Sequence, residues 1–384
     1  MASSKDNQMR VTLKRVIDDS YTIVFGEKLF PRIASDLKEH PLGERYAIIT
    51  DSNVKGLYAG QLKTALRKEG LDAKIFSFKA GEENKTEKSC MKIIGRMSKV
   101  KYGRDSAILA LGGGVVGDMA GFIAAIFNRG VPYIQIPTTL LAQADSSVGG
   151  KTAVDTEYGK NLVGRIEQPK GVYIDIATLA TLSDRDYSSG LAETIKHGII
   201  QDAEFFDYLF NNTDLMMSRS PDFLLNIAKN NCRIKRRVVQ IDPDEKGLRR
   251  ILNLGHTPGH AIEKLSLDNY KKGKSAEYLS HGAAIAIGMV VVGRISNHLG
   301  YFPSEALTKQ NMLLTAAGLP TTIPYEMSNE DIIEITTRDK KAKNGQARYV
   351  LPIEIGRMHK FKGVYATHVD NKIVLDVLER SSES

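Results

Sequence analysis

Two histidines, His256 and His260, stand four residues apart in NLGHTPGHAIE (253–263). On a continuous helix that spacing puts both imidazoles on one face, where they could chelate a divalent metal. Pro258 lies between them. Proline is accommodated at the first helical position, so Thr257 and Pro258 read as an N-cap followed by a helix start. This places His256 just ahead of the helix and His260 at its third position, which predicts one metal ligand here rather than two. No glutamate follows His256, which excludes the His-Glu-x-x-His pattern of zinc proteases. His281 opens the helical stretch SHGAAIAIGM, and Glu193 lies in SGLAETIKHGII, where Ser189 is a candidate N-cap. Glu193 and Lys196 share a helical face, and on a surface such a pair contributes little. Apolar neighbours (Leu191, Ala192, Ile195, Ile199) point the pair inward, where a carboxylate needs a partner and a metal would serve. Glu193, His256 and His281 thus form a candidate carboxylate-plus-two-imidazole set for Zn2+, with positions left open for substrate oxygens. His40, His197, His298, His359 and His368 have no such context and read as structural or surface residues.

LGGGVVGDMAG (111–121) places glycines between an apolar strand and an apolar helix. Glycine lets a pyrophosphate approach the backbone, and a helix N-terminus favours negative charge. The segment is not G-x-G-x-x-G, and a tight strand-to-helix turn would need similar residues. Asp51, after YAIIT (46–50), could hold a ribose hydroxyl or simply cap a turn. The run PTTLLAQADSSVGGKTAVDTEYGKNLVG (137–164) interleaves Thr138, Thr139, Asp145, Lys151, Lys160 and Asn161 with small residues. That density of hydroxyl, carboxylate, ammonium and amide groups suits a polyhydroxylated anionic ligand; a solvated hairpin is the plainer alternative.

The elements that must position these groups come in two textures. Strand-like segments at 46–50, 73–78, 107–114 and 133–139 alternate with helical ones, including 54–69, which argues for a parallel sheet covered on both faces. After about residue 185, helical periods dominate at 189–210, 221–241, 258–266, 281–299, 304–317 and 329–338, and only ARYVLPIEIG (347–356) reads as a strand. The fold class is α/β plus α. A Rossmann-like domain (1–184) is expected to precede a mainly helical, metal-binding domain (185–384), with a ligand cleft between them. No apolar run reaches the roughly 18 residues of a membrane span, and MASSKDNQMR lacks a signal-peptide core. Cys90 and Cys232 are too few for a disulfide framework or a cysteine zinc site, so a cytoplasmic location is expected. The net charge of +8 is scattered, its densest cluster RIKRR (233–237) is short, and no nucleic-acid motif is present. Small phosphorylated anions fit that charge better.

Together the blocks GGGVVGDMAGF, RGVPYIQIPTTLLAQADSSVGGKTAVD, GKNLVG, QPKGVYID, GLAETIKHGI, GLRRILNLGHTPGHAIE and DKKAKNGQARYVLP resemble the 3-dehydroquinate synthase family, of the sugar phosphate cyclase group. The match runs from about Asp51 to Gly356, and so many ordered motifs are highly specific. The resemblance implies an NAD-dependent homodimer containing Zn2+ or Co2+. Its reaction would turn 3-deoxy-D-arabino-heptulosonate 7-phosphate into 3-dehydroquinate and phosphate, in the shikimate pathway. The implied steps are transient oxidation by NAD, phosphate elimination, reduction, ring opening and intramolecular aldol closure, which make the enzyme a carbon–oxygen lyase.

By position, the resemblance makes Glu193, His256 and His281 the metal ligands. It assigns NAD contacts to Asp51, Asn53, Glu82, Lys85, Gly113, Gly114, Val115, Val116, Asp118, Thr138, Thr139 and Thr181, with Asp145 and Lys160 at the junction with substrate. Lys151, Asn161 and His260 would hold the phosphate, and Lys235 and Arg249 the carboxylate. Lys196, Asn253 and one of Lys340 or Lys341 complete the substrate set, and Arg129 would reach the phosphate from the neighbouring subunit. Two departures stand out. Pro258 replaces an aromatic or branched apolar residue, and Ala283 replaces a glutamate whose loss could loosen the metal. The connection carrying DNYKKGKSAEY also looks long and is expected to be a mobile surface loop. The rival readings are a cyclase acting on a carboxylate-free sugar phosphate, which would leave Lys235 and Arg249 without an anion, a metal-dependent polyol or glycerol-phosphate dehydrogenase, and a non-catalytic nucleotide-binding or basic interaction protein.

Overall fold

Apolar strands that run straight into helix caps build the first half of the chain. The computed structural model describes residues 11, 13, 18–243, 245–324, 327–338 and 346–382. In chain order, β1 (Thr22–Gly26), β2 (Arg45–Asp51), β3 (Asp72–Phe78), β4 (Ser106–Gly112) and β5 (Tyr133–Pro137) precede a hairpin, β6 (Lys151–Thr156) and β7 (Gly159–Ile166), and then β8 (Gly171–Asp175). All but the hairpin form one parallel sheet in the order β1-β8-β5-β4-β2-β3. The central strands are buried on both faces, which is why they read as continuous apolar runs. Strands β1 and β8 were not expected: both are short, and β1 is a half-buried edge whose apolar run is only Ile23–Phe25.

The second half is mainly helical, and five helices of the chain shape the site. They are α1 (Gly114–Ile126), α2 (Asp184–Gln201), α3 (Pro221–Ile241), α4 (His256–Lys271) and α5 (His281–His298). Helix α5 is buried almost continuously from Gly282 to Gly293 and forms the axis of the helical core, with α2 against it. The expected strand over 347–356 shrinks to a small antiparallel hairpin, Pro352–Glu354 with Arg357–Met358, and a helix at Asn371–Ser382 was not anticipated. No helix among the described residues is long and apolar enough to cross a membrane.

Three local expectations are corrected. Helix α2 begins at Asp184, not near Ser189: the Ser183 hydroxyl accepts the Asp186 N–H, and two aspartates occupy the first turn. Helix α4 begins at His256, capped by Gly255 in the left-handed region (φ 75), so Pro258 is its third residue. An N–H there still has no acceptor within the helix, and the first intrahelical bond runs from Gly259 N–H to Gly255 O at 2.9 Å. His256 and His260 therefore do lie one turn apart on a continuous helix, contrary to the sequence reading. Finally, α4 runs on through Asp268–Lys271, so the expected surface loop begins only at Lys272 and is shorter than DNYKKGKSAEY.

Two glycines of α5 set the spacing of the helices that carry the candidate ligands. A Cβ on Gly288 would lie 2.0 Å from Gly255 O and 2.9 Å from Gly259 N, and one on Gly282 would lie 2.1 Å from Ser189 O. The α5 backbone thus rests directly on the first turn of α4 and on α2. Gly288→Ala should lower the unfolding free energy by at least about 1–3 kcal/mol, the usual cost of overpacking, because backbone rather than a flexible side chain must move. Urea denaturation checks this, and an unchanged midpoint would mean the helices separate freely.

Candidate active site

Glu193 is the only carboxylate within the apolar centre of α2, 1% exposed among Leu191, Ala192 and Ile195. Across from it stand the first residues of α4 and α5. His256 Nε2 lies 3.6 Å and His281 Nε2 3.5 Å from Glu193 Oε1. Each ring is oriented from behind. His256 Nδ1–H donates to Leu254 O at 3.0 Å and His281 Nδ1–H to Glu263 Oε2 at 3.2 Å, which leaves both Nε2 atoms facing Glu193. Ligands held about 2.0–2.1 Å from a tetrahedral ion are separated by roughly 3.3 Å, close to the spacing here. Lys196 Nζ touches Glu193 Oε2, yet neither carboxylate oxygen has a partner of hydrogen-bonding geometry. The donor set fits a divalent cation.

The charges agree with that reading. Burial would push the Glu193 carboxyl up, but Lys196, then His281 and His256, outweigh it and hold the group well below its ordinary value. Burial pulls His281 down, while the Glu193 and Glu263 carboxylates on either side of the ring reverse this and push it up to about 9, so without a metal Nε2 carries a proton that a bound cation would displace. His260 completes the cluster, its ring centroid 5.2 Å from that of His256 and 6.0 Å from that of His281.

The hairpin reading of 137–164 is met by β6–β7, which carries Lys151, Lys160 and Asn161 toward these helices. Lys151 pairs with Glu245, which also accepts from Asn253 Nδ2 at 2.9 Å. Lys160 Nζ lies 2.9 Å from Glu263 Oε1. Asn161, at φ 54, accepts through Oδ1 from the buried Lys85 at 2.6 Å, and Lys85 also reaches Asp118 at 2.6 Å. Burial pulls the Lys85 ammonium down, but Asp118 and Glu82 prevail and raise it. Deeper in, Lys235 Nζ sits 2.7 Å from Asp145 Oδ1, and the Arg249 guanidinium is buried with bonds to Pro243 O (2.7 Å) and Gly149 O (3.4 Å). Burial, Lys196 and Arg249 lower the Lys235 ammonium. Lys196 and Lys235 together hold the Asp145 carboxyl low against its own burial. His197 belongs here rather than to the surface. It is buried, bonds Asn231 Oδ1 at 2.9 Å, and lies 3.8 Å from Asp145; burial and Lys196 lower it to about 4.

The candidate nucleotide residues collect at the carboxyl ends of adjacent parallel strands, the edge where open α/β sheets bind ligands. Asp51 ends β2, Gly113 and Gly114 join β4 to α1, and Thr138 and Thr139 follow β5. Gly114 starts α1 with Val115 half-buried and Val116 buried, and a Cβ on Gly113 would meet Thr139 at 3.0 Å. Asp51 also caps its own turn, Oδ1 accepting from Asn53 N–H (2.8 Å) and Val54 N–H (2.9 Å). The Thr138 hydroxyl is buried and unpaired, while Glu82 lies 3.9 Å from Lys85 and Thr181 bonds Tyr58 at 2.7 Å. Arg129 is exposed in the left-handed turn Asn128–Gly130 that closes α1. Lys340 and Lys341 lie outside the described residues.

Two acids escaped the sequence reading. Glu245 sits in DPDEKG, which reads as a plain turn, and only the fold brings it to Lys151 and Asn253. Glu263 ends the stretch NLGHTPGHAIE itself; its position seven residues after His256 and three after His260 was a usable signal for the same helical face. Ala283 does not leave His281 without an orienting carboxylate, because Glu263 supplies one from α4.

Comparison with known proteins gives concordant results. The model of the 3-dehydroquinate synthase N-terminal family matches residues 75–189, and that of the C-terminal family matches 190–342. A 3-dehydroquinate synthase of Desulforamulus reducens is 42% identical over 345 residues, 90% of this chain and 94% of that one. Among solved structures, a 2-epi-5-epi-valiolone synthase from Streptomyces hygroscopicus subsp. jinggangensis, with NAD+ and Zn2+ bound, superposes with a TM-score of 0.84 at 25% identity, covering 98% of this chain and 99% of that one. A 2-deoxy-scyllo-inosose synthase complexed with carbaglucose-6-phosphate, NAD+ and Co2+ gives 0.81 at 26% identity, covering 94% and 96%.

The buried Glu193–Lys196 pair yields a direct test. Removing one partner of a buried ion pair costs about 3–5 kcal/mol because the other charge is stranded. In chelator-treated protein, Lys196→Met should therefore destabilise by about that much, and the double variant Glu193→Gln/Lys196→Met should regain a large part. Additive losses in urea denaturation would show that the two charges do not depend on each other.

Proposed function

The chain belongs to the 3-dehydroquinate synthase family, and from that premise we propose that it converts 3-deoxy-D-arabino-heptulosonate 7-phosphate to 3-dehydroquinate and phosphate as an NAD- and divalent-metal-dependent lyase. The observation that carries this reading is the meeting of Glu193, His256 and His281 beside His260 and a shell of lysines and Arg249. We assign NAD to the strand ends of the 1–184 half and the metal and most substrate contacts to the 185–384 half, with Lys151 and Asn161 reaching the substrate from the hairpin. The reading includes a cytoplasmic homodimer in which Arg129 serves the neighbouring site.

Zn2+ or Co2+ held by Glu193, His256 and His281 would make neighbouring substrate hydroxyls acidic, and NAD would supply a reversible oxidation. The chain's own groups do the rest by position and charge. Lys151, Asn161 and His260 would hold the phosphate and stabilise it as it leaves, since preformed cations there need no reorganisation. Glu245 keeps Lys151 and Asn253 in place, and Asp145 does the same for Lys235. Lys235 and Arg249, both buried, would take the substrate carboxylate. Burial makes that pair selective: without a carboxylate, the partners of these two desolvated cations among the described residues are Asp145 and backbone carbonyls. This favours the acid substrate over the carboxylate-free sugar phosphates of the other cyclases.

Purified protein given the heptulosonate phosphate, catalytic NAD and Zn2+ or Co2+ should release phosphate and dehydroquinate in equal amounts with no net NADH. Turnover of glucose 6-phosphate or sedoheptulose 7-phosphate without turnover of the acid would overturn the assignment. Lys235→Met should raise KM for the acid by about 10- to 100-fold, the loss of a charge-assisted hydrogen bond worth about 1.5–3 kcal/mol. His256→Ala should abolish bound metal, whereas His260→Ala should keep metal and impair phosphate handling. Equal metal loss in both would contradict this division of roles.

A further inference from the structure

One carboxylate near the candidate metal ligands belongs neither to the ligand set nor to the substrate cations. Glu263, on the second turn of α4, is held between two elements distant in sequence. Its Oε2 accepts from His281 Nδ1 at 3.2 Å, at the start of α5, and its Oε1 meets Lys160 Nζ at 2.9 Å, on the hairpin strand β7. His281 uses its other nitrogen, Nε2, to face Glu193 at 3.5 Å. The chain of contacts thus runs Lys160–Glu263–His281–Glu193 and joins the hairpin to the buried carboxylate of α2. Resting on the metal-site reading above, we infer that Glu263 is a positioning residue that fixes His281 for metal binding and couples it to the hairpin through Lys160.

The physical case rests on geometry. An imidazole ligand can rotate about its side-chain bonds, and an acceptor on its far nitrogen fixes both ring orientation and tautomer. A carboxylate also strengthens the ring as an electron donor, which a backbone carbonyl such as Leu254 O behind His256 does less well. Glu263 is itself held by Lys160 from the opposite side, so it cannot swing away without breaking an ion pair. His260, Glu263 and His281 also bring ligand atoms close enough to suggest a second cation. Lys160 argues against one, because its ammonium already sits against Glu263, and His281 Nδ1 would have to give up its proton.

The test uses the full chain and reads metal directly, by Zn2+ competition against a chelating dye and by the visible absorption of the Co2+ form. Wild type should bind one ion per chain. Glu263→Ala should weaken binding by about 10- to 100-fold and shift the Co2+ spectrum. Glu263→Gln should recover part of the loss, since its amide oxygen still accepts from Nδ1–H. Lys160→Met should change affinity by about two- to fivefold, the scale of a partly exposed ion pair, but have no effect in the Glu263→Ala background. Affinity and spectrum are read on folded molecules, so a general loss of stability does not mimic these results. Wild-type affinity and spectrum in both Glu263 variants, with metal lost in His256→Ala, would overturn the role of Glu263 and leave the ligand set standing. Full metal retention in His256→Ala would overturn the ligand set, and this inference with it. Two ions per chain would replace the positioning role with a second site.

Discussion

A single ionised carboxylate in an apolar helix is the constraint on which the rest of this molecule depends. Glu193 lies among leucine, isoleucine and alanine side chains with almost no access to water. An unpaired charge there would cost far more than the fold could sustain. Every nearby element is arranged to meet that charge. Lys196 comes from the same helix, and His256 and His281 come from the starts of two others. An arrangement that compensates a buried charge with two oriented imidazoles is also one that suits a divalent cation, so stability and the proposed chemistry make the same demand.

Meeting that demand requires three helices to approach more closely than ordinary side chains allow. Gly282 and Gly288 remove the obstacle by letting the α5 backbone lie on α2 and on the first turn of α4. Gly255 contributes in a different way, since its left-handed backbone starts α4 at His256 and turns that ring toward Glu193. The cations follow the same logic at longer range. The hairpin β6–β7 lies outside the main sheet, and its lysines are held by acids from the helical half, Glu245 and Glu263. Substrate anions entering such a site would compete with carboxylates already in place. A site built of exchangeable ion pairs has its cations positioned before the ligand arrives.

Relatives and structural neighbours differ in a way that bears on specificity. A relative at 42% identity is a 3-dehydroquinate synthase, whereas the two solved structures at 25–26% are synthases of other names on the same architecture. A shared fold does not decide the substrate; the side chains in the site do. On the proposed reading, buried Lys235 and Arg249, with Asp145 between the cations of the pocket, are the features that would favour an acid over a carboxylate-free sugar phosphate.

Much of this was legible in the sequence, because the signals involved are local. Alternating apolar strands and helices announced the parallel sheet, and the helical periods at 221–241 and 329–338 coincide with helices of the structure. The types of the chemical groups and their order along the chain also came from the sequence, including the Glu193, His256 and His281 set. Local signals failed where two readings of one segment differ only by packing. Pro258 is compatible with the first or the third helical position, and Gly255 settled the choice through a backbone angle that sequence spacing does not reveal. Ser189 resembles a cap, yet Ser183 is the cap and Ser189 accepts the Gly282 N–H at 2.9 Å. Only the tertiary structure decided which acid meets which base. Glu245 joining Lys151, and Glu263 bridging Lys160 to His281, are pairings across long stretches of chain. Such pairings are set by how helices and hairpin dock, and docking depends on the whole core rather than on any segment's own period.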